Sequence, residues 1–184
     1  MKKGLLIRCT QTLTAFLLGA TTAASSFALG TPDQDCIEYF KTHYPVTEFR
    51  LTGSGTAIDK RTGLVWFRCN LGEFFHDGEC RGVPSRVGWT QAQGAASKAT
   101  IAGYSDWRIP TVKELRSLVE KECVNPSINT YIFPSVQTEV YWTVEDNFFN
   151  PYLGWGVYFF NGTDFGRHSK ESEYFVLLVR NQTP

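Results

Sequence analysis

The 184-residue chain carries 18 basic and 18 acidic side chains and is formally neutral, so the basic excess expected of a nucleic-acid-binding protein is missing. Apolar residues make up 42% and charged residues 20%, with no internal repeat or low-complexity tract, which points to a packed globular domain.

Residues 1–28 read as an export signal. Lys2, Lys3 and Arg8 form a basic start, Leu13 to Ala20 is mostly apolar, and Ser26-Phe27-Ala28 fits a small-x-Ala cleavage site. A retained membrane anchor is the competing reading, but threonines and Gln11 dilute an apolar run shorter than the ~20 residues a span needs. Cys9 precedes the apolar run, unlike a lipid-attachment cysteine. Cleavage after Ala28 leaves 156 residues with 15 basic and 18 acidic groups, no stable membrane insertion, and a length suited to one domain.

Leu29 to Ser54 is a lead-in, either a short helix around Cys36 to Phe40 or irregular. Thr56 to Asp59 and Gly63 to Arg68 are β-rich runs that read as a strand pair. Leu71 to Gly88, with its glycines, charges and one proline, reads as a loop. Trp89 to Thr100 places Ala92, Ala95, Ala96 and Ala99 at helical spacing, with Thr90 as the expected N-cap. A second helix is expected from Thr111 to about Glu122: Thr111 and Glu114 form a capping box, Val112, Leu115, Leu118 and Val119 form the apolar stripe, and Asn125-Pro126 ends it. Residues 125–140 are expected to be irregular. Val140 to Val144, Trp155 to Phe160 and Tyr174 to Arg180 are aromatic and β-branched strands. Asn161-Gly162 is a turn signal, and Thr163 to Glu173 reads as a polar loop. Two helices among strand pairs give an α+β domain on a mainly antiparallel sheet.

Of the five cysteines, Cys36, Cys69, Cys80 and Cys123 follow the signal, an even set in an exported chain. Three pairings are possible. Cys69 with Cys80 closes a short polar loop and is favoured, leaving Cys36 with Cys123.

Several motifs carry a family resemblance: Thr62-Gly63-Leu64-Val65-Trp66; Ala102 to Leu115 with Asp106-Trp107-Arg108-Ile109-Pro110; Phe133-Pro134; Tyr141-Trp142-Thr143; Trp155 to Phe159; and Leu178-Val179-Arg180. In this order, over about Thr56 to Arg180, the chain resembles the C-terminal domain of the Legionella collagen-like protein family. The resemblance implies a C-type lectin-like fold over residues 55–184, in which a small mainly antiparallel sheet with two helices joins both chain ends and a long loop region forms the ligand face. Some members act in adhesion to glycosaminoglycan-like polymers. This chain has no collagen-like Gly-x-y stalk, so trimerisation and polyanion binding are not carried over.

Charged residues in these motifs read as scaffold. Asp106, Trp107 and Arg108 are expected to lock a turn, Glu114 to bond the backbone at Thr111, and Arg180 to meet a carboxylate inside the fold, with Trp142 in the core. Enzyme signatures are thin: Ser105-Asp106, or His76 with Asp77 and Glu79, lack any spacing that a mechanism requires. No cofactor is implied. Glu145-Asp146-Asn147 offers oxygen ligands but reads better as a solvated turn than as a calcium site.

The functional expectation rests on aromatic placement. If Trp155, Val157 and Phe159 fill the core, Tyr158 and Phe160 point away from it. With Phe148, Phe149 and Tyr152 before them and Asp164, Phe165, Arg167 and His168 after, they would form a ring of stacking and hydrogen-bonding groups. Such a surface suits a glycan or protein ligand. The resulting expectation is a non-enzymatic exported binding module, the alternatives being a structural subunit of a surface assembly or an envelope enzyme.

Overall fold

A computed structural model describes Cys36, Phe40 and residues 48–182; the expected export signal and most of the lead-in lie outside the described residues. The elements are β1 (Phe49–Leu51), β2 (Thr56–Asp59), β3 (Leu64–Phe67), β4 (Glu73–His76), β5 (Glu79–Gly82), α1 (Trp89–Lys98), α2 (Val112–Arg116), β6 (Val140–Asn147), β7 (Asn150–Tyr158), β8 (Thr163–Ser169) and β9 (Val179–Asn181). They build a four-stranded sheet of order β1-β2-β3-β9, a β4-β5 ribbon and a three-stranded β6-β7-β8 sheet. Every pairing between these strands is antiparallel, which with the two short helices gives the α+β class.

Two apolar clusters lie on either side of the central strands. In β3, Leu64 and Trp66 join one cluster while Val65 and Phe67 join the other. The segment 175–179 alternates likewise, with Phe175, Leu177 and Val179 in the first cluster and Val176 and Leu178 in the second. Strands buried on both faces read as unbroken apolar runs, and these do. Leu115 and Leu118 at and just beyond α2 close the first cluster, while Ala92 and Ala96 of α1 close the second. Cys69 bonds Cys80 and Cys36 bonds Cys123, with Cα atoms 5.5 Å apart in each pair.

Several local expectations change. The Leu71–Gly88 segment contains the β4-β5 hairpin, closed by Asp77 and Gly78 at φ values of 51° and 87°. Two consecutive positive φ angles define the turn that best matches strand twist, and Asp-Gly is its usual sequence. The first helix is capped by Gly88, not Thr90: Gln91 Oε1 accepts the Gly88 N–H at 3.3 Å, two residues earlier than the threonine would place the cap.

The second helix stops at Arg116 rather than near Glu122. Leu118 and Val119 donate to carbonyls three residues back, and Glu120 N then donates to Ser127 O at 2.9 Å as Val119 pairs with Ile128. Extended pairing thus satisfies the backbone that a longer helix would have used.

Residues 174–180 are not one strand: Tyr174 and Phe175 make isolated bridges, and only Val179 onward forms β9. Thr163 to Ser169, expected as loop, is β8, and it starts directly after the Asn161-Gly162 turn, where Gly162 has φ 74°. Phe49–Leu51, in the expected lead-in, forms β1 and pairs with β2.

Candidate functional site

Cross-strand partners share a sheet face. Tyr158 lies opposite Val140 and Thr163, Gly156 opposite Trp142 and Phe165, and Gly154 opposite His168. These eight residues therefore line one face of the β6-β7-β8 sheet. The register of β8 slips by one residue between Phe165 and His168; without that bulge His168 would point to the other face. The opposite face carries Tyr141, Val157 and Asp164, the first two fully buried.

The centre of the first face is filled. Trp142 is buried and meets the His168 ring at 6.1 Å and the Tyr174 ring at 4.8 Å. His168 Nδ1 lies 3.2 Å from the Tyr174 hydroxyl, and burial holds the imidazole pKa below its usual value. A Cβ on Gly156 would sit 2.6 Å from Val140 Cγ1 and 3.3 Å from His168 Cδ2. Glycine is what lets these neighbours close over the strand.

Exposed aromatic surface lies at the two ends of β7. At one end Tyr158 and Phe160 stack with centroids 5.7 Å apart and planes 20° apart, each a little over one-third exposed; Phe165 lies exposed on the same face. At the other end, about 26 Å along the strand, Phe148 and Phe149 are each 92% exposed and Tyr152 is 80% exposed.

That second end is a braced hairpin tip. Asn147 Oδ1 accepts from Phe149 N at 2.9 Å and Asn150 N at 3.1 Å, while its Nδ2 donates to Gly166 O at 2.6 Å. Asn150 Oδ1 then accepts from Tyr152 N at 3.0 Å. The two phenyl rings meet edge to face at 5.3 Å.

The structure divides the expected ring of ligand residues. Tyr158 and Phe160 come together, Tyr152 belongs to the distant tip, and Arg167 is exposed at the bulge. His168 is packed among rings. Asp164 faces the other side, where it pairs with Arg116 at 3.2 Å. The braced Asn147–Asn150 turn was recognisable only through its two asparagines, whose side chains mimic backbone turns.

The motif residues hold the chain together around the sheets. Arg180 Nε donates to Asp106 Oδ1 at 2.6 Å and its guanidinium lies 3.9 Å from the Tyr104 ring centroid. Trp107 is buried and donates to Ile101 O at 3.2 Å. Glu114 accepts from Thr111 N and from Arg108.

Glu145, Asp146 and Asn147 diverge. Glu145 accepts from Val112 N, Asp146 pairs with Lys170, and Asn147 braces the tip. Among the described residues no three His, Cys, Asp or Glu side chains group as a metal site. His76 is exposed on the β4-β5 ribbon, 3.1 Å from Asp77. No helix among the described residues is long and apolar enough to cross a membrane.

An antiparallel α+β domain with an aromatic-rimmed sheet is thus the class the geometry defines. The family model of the Lcl C-terminal domain matches residues 55–180, and the chain belongs to that family. No curated protein matches it.

Proposed function

We propose that this chain is an exported, non-enzymatic binding module of C-type lectin-like fold that recognises a surface glycan or protein through the aromatic groups of the β6-β7-β8 sheet. Placement of the first and last described strands, β1 and β9, in one sheet supports that fold, and two disulfides suit an oxidising compartment. The observation that carries the reading is the pair Phe148 and Phe149, 92% exposed on a tip held by asparagine hydrogen bonds. Leaving two phenyl rings in water forfeits burial free energy unless another surface covers them. Tyr158 and Phe160 add stacking area at the other end of β7, and Arg167 adds an exposed donor at the β8 bulge between the two ends.

The mature chain, screened against immobilised glycans and surface proteins, is expected to select a small set of ligands. Tyr158→Ala with Arg167→Ala, and separately Phe148→Ser with Phe149→Ser, should abolish that binding with melting temperatures unchanged. Normal binding by both double variants would reject this surface. One stoichiometric, long-lived protein partner, with no free glycan bound, would favour the second reading: a structural subunit of a surface or secreted assembly, docked through the same apolar tip.

A further inference from the structure

The face of the four-stranded sheet that carries the second apolar cluster has, beside that cluster, a feature that the aromatic surface does not explain. Arg50 lies opposite Ile58, Ile58 opposite Val65, and Val65 opposite Arg180. One cross-strand row thus runs through all four strands with an arginine at each end and an aliphatic floor between. Strand spacing puts the two arginine Cα atoms about 14 Å apart. The row floors a cleft of about 220 Å³, below the ~300–1,000 Å³ typical of drug-sized ligands, so it suits a single ring and not an oligomer.

The walls differ in chemistry. Arg180 is buried, held by Asp106 and covered by the Tyr104 ring, so it shapes the site and its charge is balanced. Arg50 is exposed and, among the described residues, has no hydrogen-bond or ion-pair partner, which leaves the cleft one net positive charge. Beside it three hydroxyls are linked: Thr52 Oγ1 lies 2.7 Å from Thr56 Oγ1 and 2.9 Å from Ser54 Oγ, and accepts from Thr56 N at 3.2 Å.

We propose that this cleft is a second binding site, for a monosaccharide that bears a carboxylate. A planar guanidinium pairs bidentately with a carboxylate. One net positive charge matches a monoanion, and hydroxyls that both donate and accept match those of a sugar. The C–H face of a pyranose finds apolar surface on half-buried Ile58 and exposed Tyr104, lining residues that a phosphate or sulfate ion would not use, while Val65 lies buried beneath them. The site lies on a different sheet from the aromatic surface and does not depend on it.

The test is a titration of the mature chain with D-glucuronate, D-glucose and acetate, read by backbone amide shifts. Glucuronate is expected to give saturable shifts at residues 50–58 and 180–182, with acetate and glucose each at least about tenfold weaker. Arg50→Ala should weaken glucuronate by at least about tenfold at unchanged melting temperature, with Arg50→Lys between it and the parent. Phe148→Ser with Phe149→Ser should bind glucuronate normally, whatever becomes of the glycan screen. Absence of saturable shifts in these strands, equal binding of glucose or of acetate, or full affinity in Arg50→Ala would each overturn the proposal.

Discussion

Arg108 and Glu114 are joined by two parallel hydrogen bonds, Nη1 to Oε2 and Nη2 to Oε1, each 2.8 Å. Glu114 also accepts from Thr111 N at 2.8 Å, while Thr111 Oγ1 accepts from Glu114 N at 3.1 Å. One carboxylate therefore caps α2 and ties it to the segment that pairs with β9 through Arg108 and Val179. Removing it costs a helix cap and a charge-assisted pair. Glu114→Ala should lose about 2 kcal/mol and Glu114→Gln, which keeps the cap, about half of that. Urea denaturation of the three proteins at neutral pH checks this; a parent-like midpoint for Glu114→Ala would show that the pair contributes nothing.

The same contacts set an acid limit. The Arg108 hydrogen bonds hold the Glu114 carboxyl below its usual value of 4.5, and the Arg180 hydrogen bond holds Asp106 below 3.8. Carboxyls with depressed folded pKa values stabilise the fold above the unfolded values, and that contribution is lost as pH falls through the folded ones. Stability of the parent should therefore fall below about pH 4.5, and less steeply in Glu114→Gln. Denaturation midpoints between pH 6 and 2 would record the difference.

His168 defines a separate window. Burial lowers its pKa from 6.5. Above pH 6.5 the imidazole is neutral in both states and pH has no effect through this group. As pH falls below 6.5 the unfolded chain takes up the proton first, so stability drops until the folded-state pKa is passed. His168→Gln should flatten this part of the curve and leave the carboxylate limb intact. An unchanged slope between pH 6.5 and 5 in that variant would refute the assignment.

The two disulfides close loops of very different length, with sequence separations of 87 and 11. On loop entropy alone, opening Cys36–Cys123 costs about 4.5 kcal/mol and opening Cys69–Cys80 about 3 kcal/mol. The paired Cys→Ser variants should rank in that order in denaturant, and the mature parent, which lacks Cys9, should show no reactive thiol when unfolded without reductant. The Cys69–Cys80 loop also contains the Asp77-Gly78 turn, whose local order reduces the entropy a crosslink removes.

What could be read in the residues followed from local chemistry. The Thr111–Glu114 box, the β2-β3 pair and the parity of Val157 and Phe159 against Tyr158 and Phe160 depend on neighbours in sequence, and each appears in the structure. The α2 endpoint and the strand character of Thr163–Ser169 depend on partners elsewhere: residues 127–128 capture the chain after Arg116, and β7 pairs with a polar segment that alternation alone left as loop. Asp77-Gly78 did carry a hairpin signal, masked by the charge and glycine around it. For the ligand residues the hidden element was the β8 bulge. It turns His168 onto the face of Phe165 and into ring packing, while Asp164 meets Arg116 behind the sheet.

Phe148, Phe149 and Phe159 lie within a dozen residues of one another, yet the first two are 92% exposed and the third is fully buried against Tyr141, at 5.1 Å between ring centroids. The environments predict opposite outcomes for similar truncations. Phe159→Ala removes a ring from a packed cluster and should cost about 3 to 5 kcal/mol, through lost transfer free energy and the cavity left behind. Phe148→Ser with Phe149→Ser removes rings that touch mainly water and each other, so stability should change by no more than about 0.5 kcal/mol. The tip should persist, since its brace comes from the Asn147 side chain and backbone amides. Solubility at high concentration should rise, because an exposed apolar patch promotes association. Thermal melts and light scattering on the three proteins separate these effects. If the double tip variant melted as early as Phe159→Ala, the rings would be part of the core and the binding surface proposed for them would be lost.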